Sequence, residues 1–356
     1  MVFLMAKTRI NEIDLLRFMA AFSVVLFHYT FRGYAADSMS VIPYPLLAPY
    51  SKYGYLGVEL FFMISGFVIL MSASGGNMRR FVVSRFIRLY PAFWASCTIT
   101  FIVILLIGEP RYTATLSQYL INMTMISGYL HVPSIDGVYW TLFIELQFYF
   151  LIAILLFMKK ISHIESFLTL WIILSIILEL FPIKILNFLL IVNFSAYFIS
   201  GAIFYLIWLN GLSWRKVAVL FLAWGLSLLQ EIHYMVEFEH HYNTDLNVFI
   251  VGGILTSFFI VMLLMALKKT GKLGQKQWIL AGSLTYPLYL LHQNIGFMIF
   301  NSTYGLLSPF WLFFMTLGSV LLLSYMVHIF IEKQFSSPLK VFVNNTIDAV
   351  YRLKIK

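Results

Sequence analysis

The sequence predicts an all-α polytopic membrane protein with about ten transmembrane helices and both termini cytoplasmic. Three observations predict it. Hydrophobic residues make up 61% of the 356 and charged residues 11%, where a soluble domain carries about 25% charged residues. Mean hydropathy is +0.88. The apolar stretches are long enough for helices that cross a bilayer, which takes about 20 residues each. Lipid offers backbone groups no water, so such runs are helices, and none alternates as a β-barrel strand would.

In chain order, spans are expected near 13–31, 56–73, 91–107, 138–157, 164–181, 188–208, 217–231, 247–267, 280–300 and 309–331. The stretch 112–135 reads as an outer-side helix or a re-entrant piece. Charge sets the orientation. With the N-terminus inside, the inner segments hold nineteen of the 24 basic residues, from Lys7 and Arg9 through to Arg352, Lys354 and Lys356. The outer loops hold only Arg32, Lys52, Arg111 and Lys184. That asymmetry follows the positive-inside rule, so the net charge of +9 is topology and needs no nucleic-acid partner.

Residues 9–335 are expected to form one transmembrane domain. The short basic tail 336–356 mixes apolar and basic residues in the manner of an interfacial helix. Residues 1–6 lack a cleavage signal, and no soluble domain is expected beside the bundle. The single cysteine, Cys97, permits no internal disulfide and no cysteine metal cluster; in the third span it reads as a small apolar packer.

Polar residues inside the spans carry the functional signal. Arg17 and His28 share the first span, eleven positions apart. At about 100° per residue they fall on one face, about 16 Å apart along the axis. Groups so costly to insert face a bundle interior or a wet cavity and mark functional sites. Asp14, three residues before Arg17, is expected to pair with it. In the second span Glu59 lies near the outer end, facing solvent or an acceptor, while Ser65 and Gly66 let neighbouring helices approach.

Before the third span, Arg79 and Arg80 are ordinary inner-side charge, whereas Arg85 and Arg88 are one turn apart and can converge on a phosphate. The fourth span runs from Trp140 past Glu145 to Tyr149. By helical rise Glu145 lies at a depth similar to that of His28. There it can orient the imidazole and stabilise its protonated form, or tie two helices together. In the ninth span Pro287 frees a carbonyl and kinks the helix, and His292 lies near mid-membrane without an evident partner. Glu179, at the outer end of the fifth span, and the later outer loop with His233, Glu237, Glu239, His240 and His241 read as hydrated; no metal site is expected. The cytosolic arginines, Arg17 and His28 together predict a common polar channel.

Arg17 with ten residues before His28 comes first in the chain. Gly57-Val-Glu59-Leu-Phe-Phe-Met-Ile-Ser65-Gly66-Phe67 follows, then Arg85-x-x-Arg88 with Tyr90-Pro91. Next is Trp140-Thr-Leu-Phe-Ile-Glu145 with Phe148-Tyr149, and last Ser283-Leu-Thr-Tyr286-Pro287-Leu-Tyr289 ending in His292. In this order the motifs resemble the acyltransferase 3 family, membrane-bound O-acyltransferases of surface glycans, over roughly 9–335. The likeness is to stand-alone members without an SGNH domain. Glu332-Lys333-Gln334 departs from the family's frequent Glu-Lys-Pro.

The resemblance implies an enzyme with acyl-CoA, acetyl-CoA by preference, as cytoplasmic donor substrate and no permanently bound cofactor. The acceptor it implies is a hydroxyl of an extracytoplasmic polysaccharide, lipopolysaccharide or related glycoconjugate, at a bacterial inner membrane. It implies His28 as general base oriented by Glu145, or as the carrier of the acyl group. Arg17, Arg85 and Arg88 would hold the donor, and Glu59, Trp140, Tyr149 and His292 the substrate. The rival class is a transporter or flippase for a lipid-linked sugar or acyl group, with buried His, Glu and Arg in proton coupling; no inverted repeat is evident. A receptor or scaffold needs no shared Arg17–His28 face.

Overall fold

The computed structural model describes the backbone of residues 9–35 and 38–354, and side chains as far as Ala349. Lys7, the stretch 1–6 and Lys356 lie outside the described residues, as do the side chains of Arg352 and Lys354. Every crossing element is helical. In chain order they are α1 (Asn11–Phe27), α2 (Gly57–Ala73), α3 (Met78–Ile107), the short outer α4 (Leu116–Asn122), α5 (Trp140–Phe157) and α6 (Ile164–Leu180). Then come α7 (Val192–Asn210), α8 (Trp214–Tyr242), α9 (Val248–Ala266), α10 (Ile279–Ser302), α11 (Pro309–Val327) and α12 (Lys333–Lys354).

Among the described residues, 9 helical spans are long and apolar enough to cross a membrane. The 24-residue α10 is as long, and it owes its lower hydropathy to Ser283, Thr285, His292, Gln293 and Asn294. The stretch 112–135 forms α4 and turns and does not cross. Two boundaries differ from expectation. Helix α3 starts at Met78 because the segment carrying Arg79 to Arg88 continues as helix on the inner side. Helix α8 runs to Tyr242, so His233 through His241 stand on a helix and not in a loop; the apolar positions Met235 and Phe238 are buried and keep the helical repeat going past the expected end.

Two π turns interrupt the α-helical geometry, at His28–Arg32 after α1 and at His328–Glu332 between α11 and α12. Such turns are rare and recur at functional sites. Both carry polar groups used below.

Helix α1 packs between α2 and α10, while α2 has its largest contact with α7. Small residues explain the second contact. A Cβ on Gly201 would sit 1.8 Å from the Met63 carbonyl oxygen, and one on Gly66 2.2 Å from that of Phe198. The two backbones touch, as small residues permit between membrane helices. A further close approach brings the loop before α5 into the bundle. Asp136 accepts from the Asn294 amide at 3.0 Å and from Val138 N at 3.2 Å, and Asn294 Nδ2 donates to Ile135 O at 2.9 Å. Helix α5 therefore begins below the outer rim of the bundle.

Gly201→Val is expected to destabilise the fold by about 1–3 kcal/mol, the range for overpacking. It would appear as a lower melting midpoint and less monodisperse protein in detergent. Gly225→Val, where nothing lies within 4 Å, should leave both unchanged.

Candidate active site

Four helices build the site, and each supplies residues at two depths. From outer to inner end, α2 presents Glu59, then Phe61, then Val68. Helix α10 presents Gln293 and Tyr289, then Tyr286 and Thr285; α5 presents Trp140, then Glu145 and Tyr149; α1 and its π turn present Arg32, His28 and Val24, then Arg17. The outer members line a cavity of about 450 Å³, closed on its far side by α7 and α8. The inner members, with Arg85 and Arg88 from α3, line one of about 100 Å³. The single channel expected from the sequence is thus two cavities. Phe61 borders the inner one and Tyr289 the outer, and their rings stack at 5.7 Å. This pair stands between the cavities, and the Tyr289 hydroxyl is pinned to Thr141 Oγ1 at 2.8 Å.

Hydrogen bonding assigns the histidine tautomers. His28 Nδ1 lies 2.8 Å from Val24 O, and His292 Nδ1 lies 2.9 Å from Tyr289 O. A carbonyl only accepts, so both Nδ1 atoms carry the proton. His292 Nε2 is then an acceptor, 3.1 Å from His28 Nδ1. The remaining nitrogen, His28 Nε2, is left with a lone pair on the wall of the outer cavity, where Arg32 Nη1 donates to it at 3.1 Å. Arg32 also donates to Gln293 Oε1 at 3.1 Å. The π turn puts Arg32 beside His28, four residues earlier.

Glu145 does not orient His28. Its Oε1 accepts from Ser65 Oγ at 2.8 Å and from the Tyr149 hydroxyl at 2.9 Å, and it faces the inner cavity with Arg17. The depth count failed because α5 starts inside the bundle and not at its rim, so Glu145 lies deeper than its distance from the loop suggests. Arg17 is not paired with Asp14 either. Arg9, just before the helix, takes that carboxylate at 2.5 Å, and Arg17 Nε is buried without a partner among the described residues. Arg85 stands over the Tyr149 ring at 6.0 Å and Arg88 over that of Tyr286 at 5.9 Å. Arg88 also reaches Glu332 at 3.5 Å, whose other oxygen is bound to His328 Nδ1 at 2.7 Å across the second π turn.

The structure therefore groups Arg17, Arg85, Arg88, Glu145 and Tyr149 at the inner cavity and His28, His292, Glu59 and Trp140 around the outer one. Glu179, expected to be hydrated, is tied to Gln230 Nε2 at 2.8 Å and to His233 Nδ1 at 3.3 Å. Sequence reasoning missed Arg32, Glu231 and Glu332. Glu231 was legible as a carboxylate within an apolar span; no sequence rule announces a π turn. Outside the spans, burial pushes the Asp136 carboxyl up to about 7, against its backbone N–H donors and Arg32.

The bundle thus places a lone-pair imidazole on one cavity and convergent arginines on the other. The family model described as an acyltransferase domain, acyltransferase 3, matches residues 10–329, and the chain belongs to that family. It is an enzyme that transfers acyl groups. "Putative acetyltransferase ORF330" of Acidianus two-tailed virus is 24% identical over 301 residues, covering 81% of this chain and 84% of that protein. "Nodulation protein 10" of Rhizobium leguminosarum bv. viciae is 29% identical over 169 residues, covering 41% of this chain and 44% of that protein. No solved structure matches.

Proposed function

We propose that this protein is an integral-membrane O-acetyltransferase of the bacterial inner membrane. It moves an acyl group from acyl-CoA on the inner side to a glycan hydroxyl on the outer side. The observation that carries the proposal is the pair of cavities meeting at the Phe61–Tyr289 stack, arginine-lined within and imidazole-lined without. The relative named as an acetyltransferase supports the choice of acyl group.

Arg85 and Arg88 are suited to the CoA phosphates, since guanidinium forks bind phosphate oxygens in pairs. Arg17 Nε, buried and unpartnered, supplies a further donor deeper along the path. Glu145, held by Ser65 and Tyr149, keeps that cationic cluster in register from the opposite wall. For transfer, the Phe61–Tyr289 stack parts and the thioester reaches the outer cavity.

His28 Nε2 takes the proton of the sugar hydroxyl as its oxygen attacks the thioester carbonyl carbon. The C–S bond then breaks, the acyl group stays on the sugar oxygen, and CoA leaves as the thiolate. Arg32, already beside Nε2, is placed to donate to the carbonyl oxygen as it gains charge. Histidine His292 acts through His28, fixing which nitrogen bears the proton.

Purified protein given radiolabelled acetyl-CoA and surface glycan should put covalent label into the glycan; a transporter or flippase would leave the glycan unlabelled. His28→Ala should cost about 10²–10⁴-fold in rate, the range for a general base. His292→Gln should lower kcat with little change in KM for acetyl-CoA. Wild-type rates in His28→Ala would overturn the base assignment.

Arg85→Ala with Arg88→Ala should weaken acetyl-CoA binding by roughly tenfold or more, as expected for losing charge-assisted bonds. Calorimetry on the detergent-purified protein checks this, and unaltered affinity would place the donor phosphates elsewhere.

A further inference from the structure

The outer cavity holds charge that acyl transfer leaves unused. Four carboxylates line it, those of Glu59, Glu179, Glu231 and Glu237, against the single guanidinium of Arg32. Arg32 is occupied at the His28 end by that imidazole and by Gln293. Two of the acids are deep: Glu59 on α2 and Glu231 on α8 are 6% and 4% exposed. The Tyr55 hydroxyl donates to Glu231 Oε1 at 2.6 Å. Glu59 Oε2 is buried and has no donor among the described residues. A buried carboxylate oxygen left without a donor is costly, and Glu59 stands on the wall of this cavity.

Among the described residues no three His, Cys, Asp or Glu side chains converge as metal ligands would. Its remaining surface is aromatic. Trp140, 45% exposed, and Tyr234, equally exposed, line the same cavity. Such rings offer an apolar face with a polar edge, which suits the C–H face of a sugar ring. Carboxylates beside aromatic faces recognise hydroxyl and ammonium donors and repel anions.

We propose that the outer cavity binds a saccharide that presents hydroxyls or an ammonium to Glu59 and Glu231 and carries no carboxylate, sulfate or phosphate on the bound units. The proposal rests on the acyltransferase reading only in calling that saccharide the acceptor; its charge selection is a property of the wall itself.

The test uses β-1,4-linked tetrasaccharides that share one backbone and differ in charge: cellotetraose, the 2-amino chitosan tetramer and the uronate made by oxidising cellotetraose at C6. Binding to the full-length protein in detergent is followed by tryptophan fluorescence or calorimetry. The neutral and amino forms are expected to bind at least tenfold tighter than the uronate. In Glu59→Gln with Glu231→Gln, both near-isosteric, any preference for the amino over the neutral form should fall to within twofold. Uronate binding as tight as cellotetraose, or binding of none of the three at millimolar concentration, would overturn the proposal. Should the charge order hold while no acetyl label is transferred, the acyl-transfer chemistry fails and the cavity assignment stands. Label appearing in the uronate as readily as in the neutral form would sink the charge selection and leave the transfer intact.

Discussion

In hydrocarbon no water answers a polar side chain, so each buried polar group of this bundle has to be met by another protein group or to face a cavity. That requirement shapes the site. His28, in the π turn after α1, is met by Val24 O, by His292 from α10 and by Arg32. Glu145 on α5 needs Ser65 from α2. The four helices that carry these groups are thereby committed to one another. The close α2–α7 crossing at Gly66 and Gly201 then holds α2 against the wall of the outer cavity.

The electrostatics follow from the same constraint. Positive groups gather at one depth and carboxylates at another, with the histidine pair between them and the outer aqueous face. Arg17, Arg85 and Arg88 would repel one another in a dry site. Glu145 and Glu332 reach into the cluster, and the faces of Tyr149 and Tyr286 support the arginines. Across the Phe61–Tyr289 stack the balance reverses, with Arg32 the lone guanidinium among four acids. A single bundle thus offers opposite charge environments to the two sides of the membrane.

The helical class and the crossing segments were legible in the sequence, because apolar run length and helical repeat are local properties. The grouping of Arg85 and Arg88 was legible too, since their spacing sets it. What escaped depended on the third dimension. The partner of Glu145 was misread because depth was counted from a loop, and the loop with Asp136 descends into the bundle to bond Asn294. Arg32 looked like an outer-loop charge because nothing in His-Tyr-Thr-Phe-Arg signals a π turn. Glu231 went unremarked although the apolar run 217–229 leads up to it. His292 lacked a partner in the sequence for a simple reason: its partner is 264 positions away.

The stacked rings of Phe61 and Tyr289 have an electrical consequence. Where polar vestibules reach toward each other from opposite faces, most of the resting voltage falls across whatever thin septum divides them. A unit charge carried through such a septum does work of about 2.3 kcal/mol per 100 mV, whereas a neutral group crosses without that toll. The two rings are in this sense the dielectric of a small capacitor.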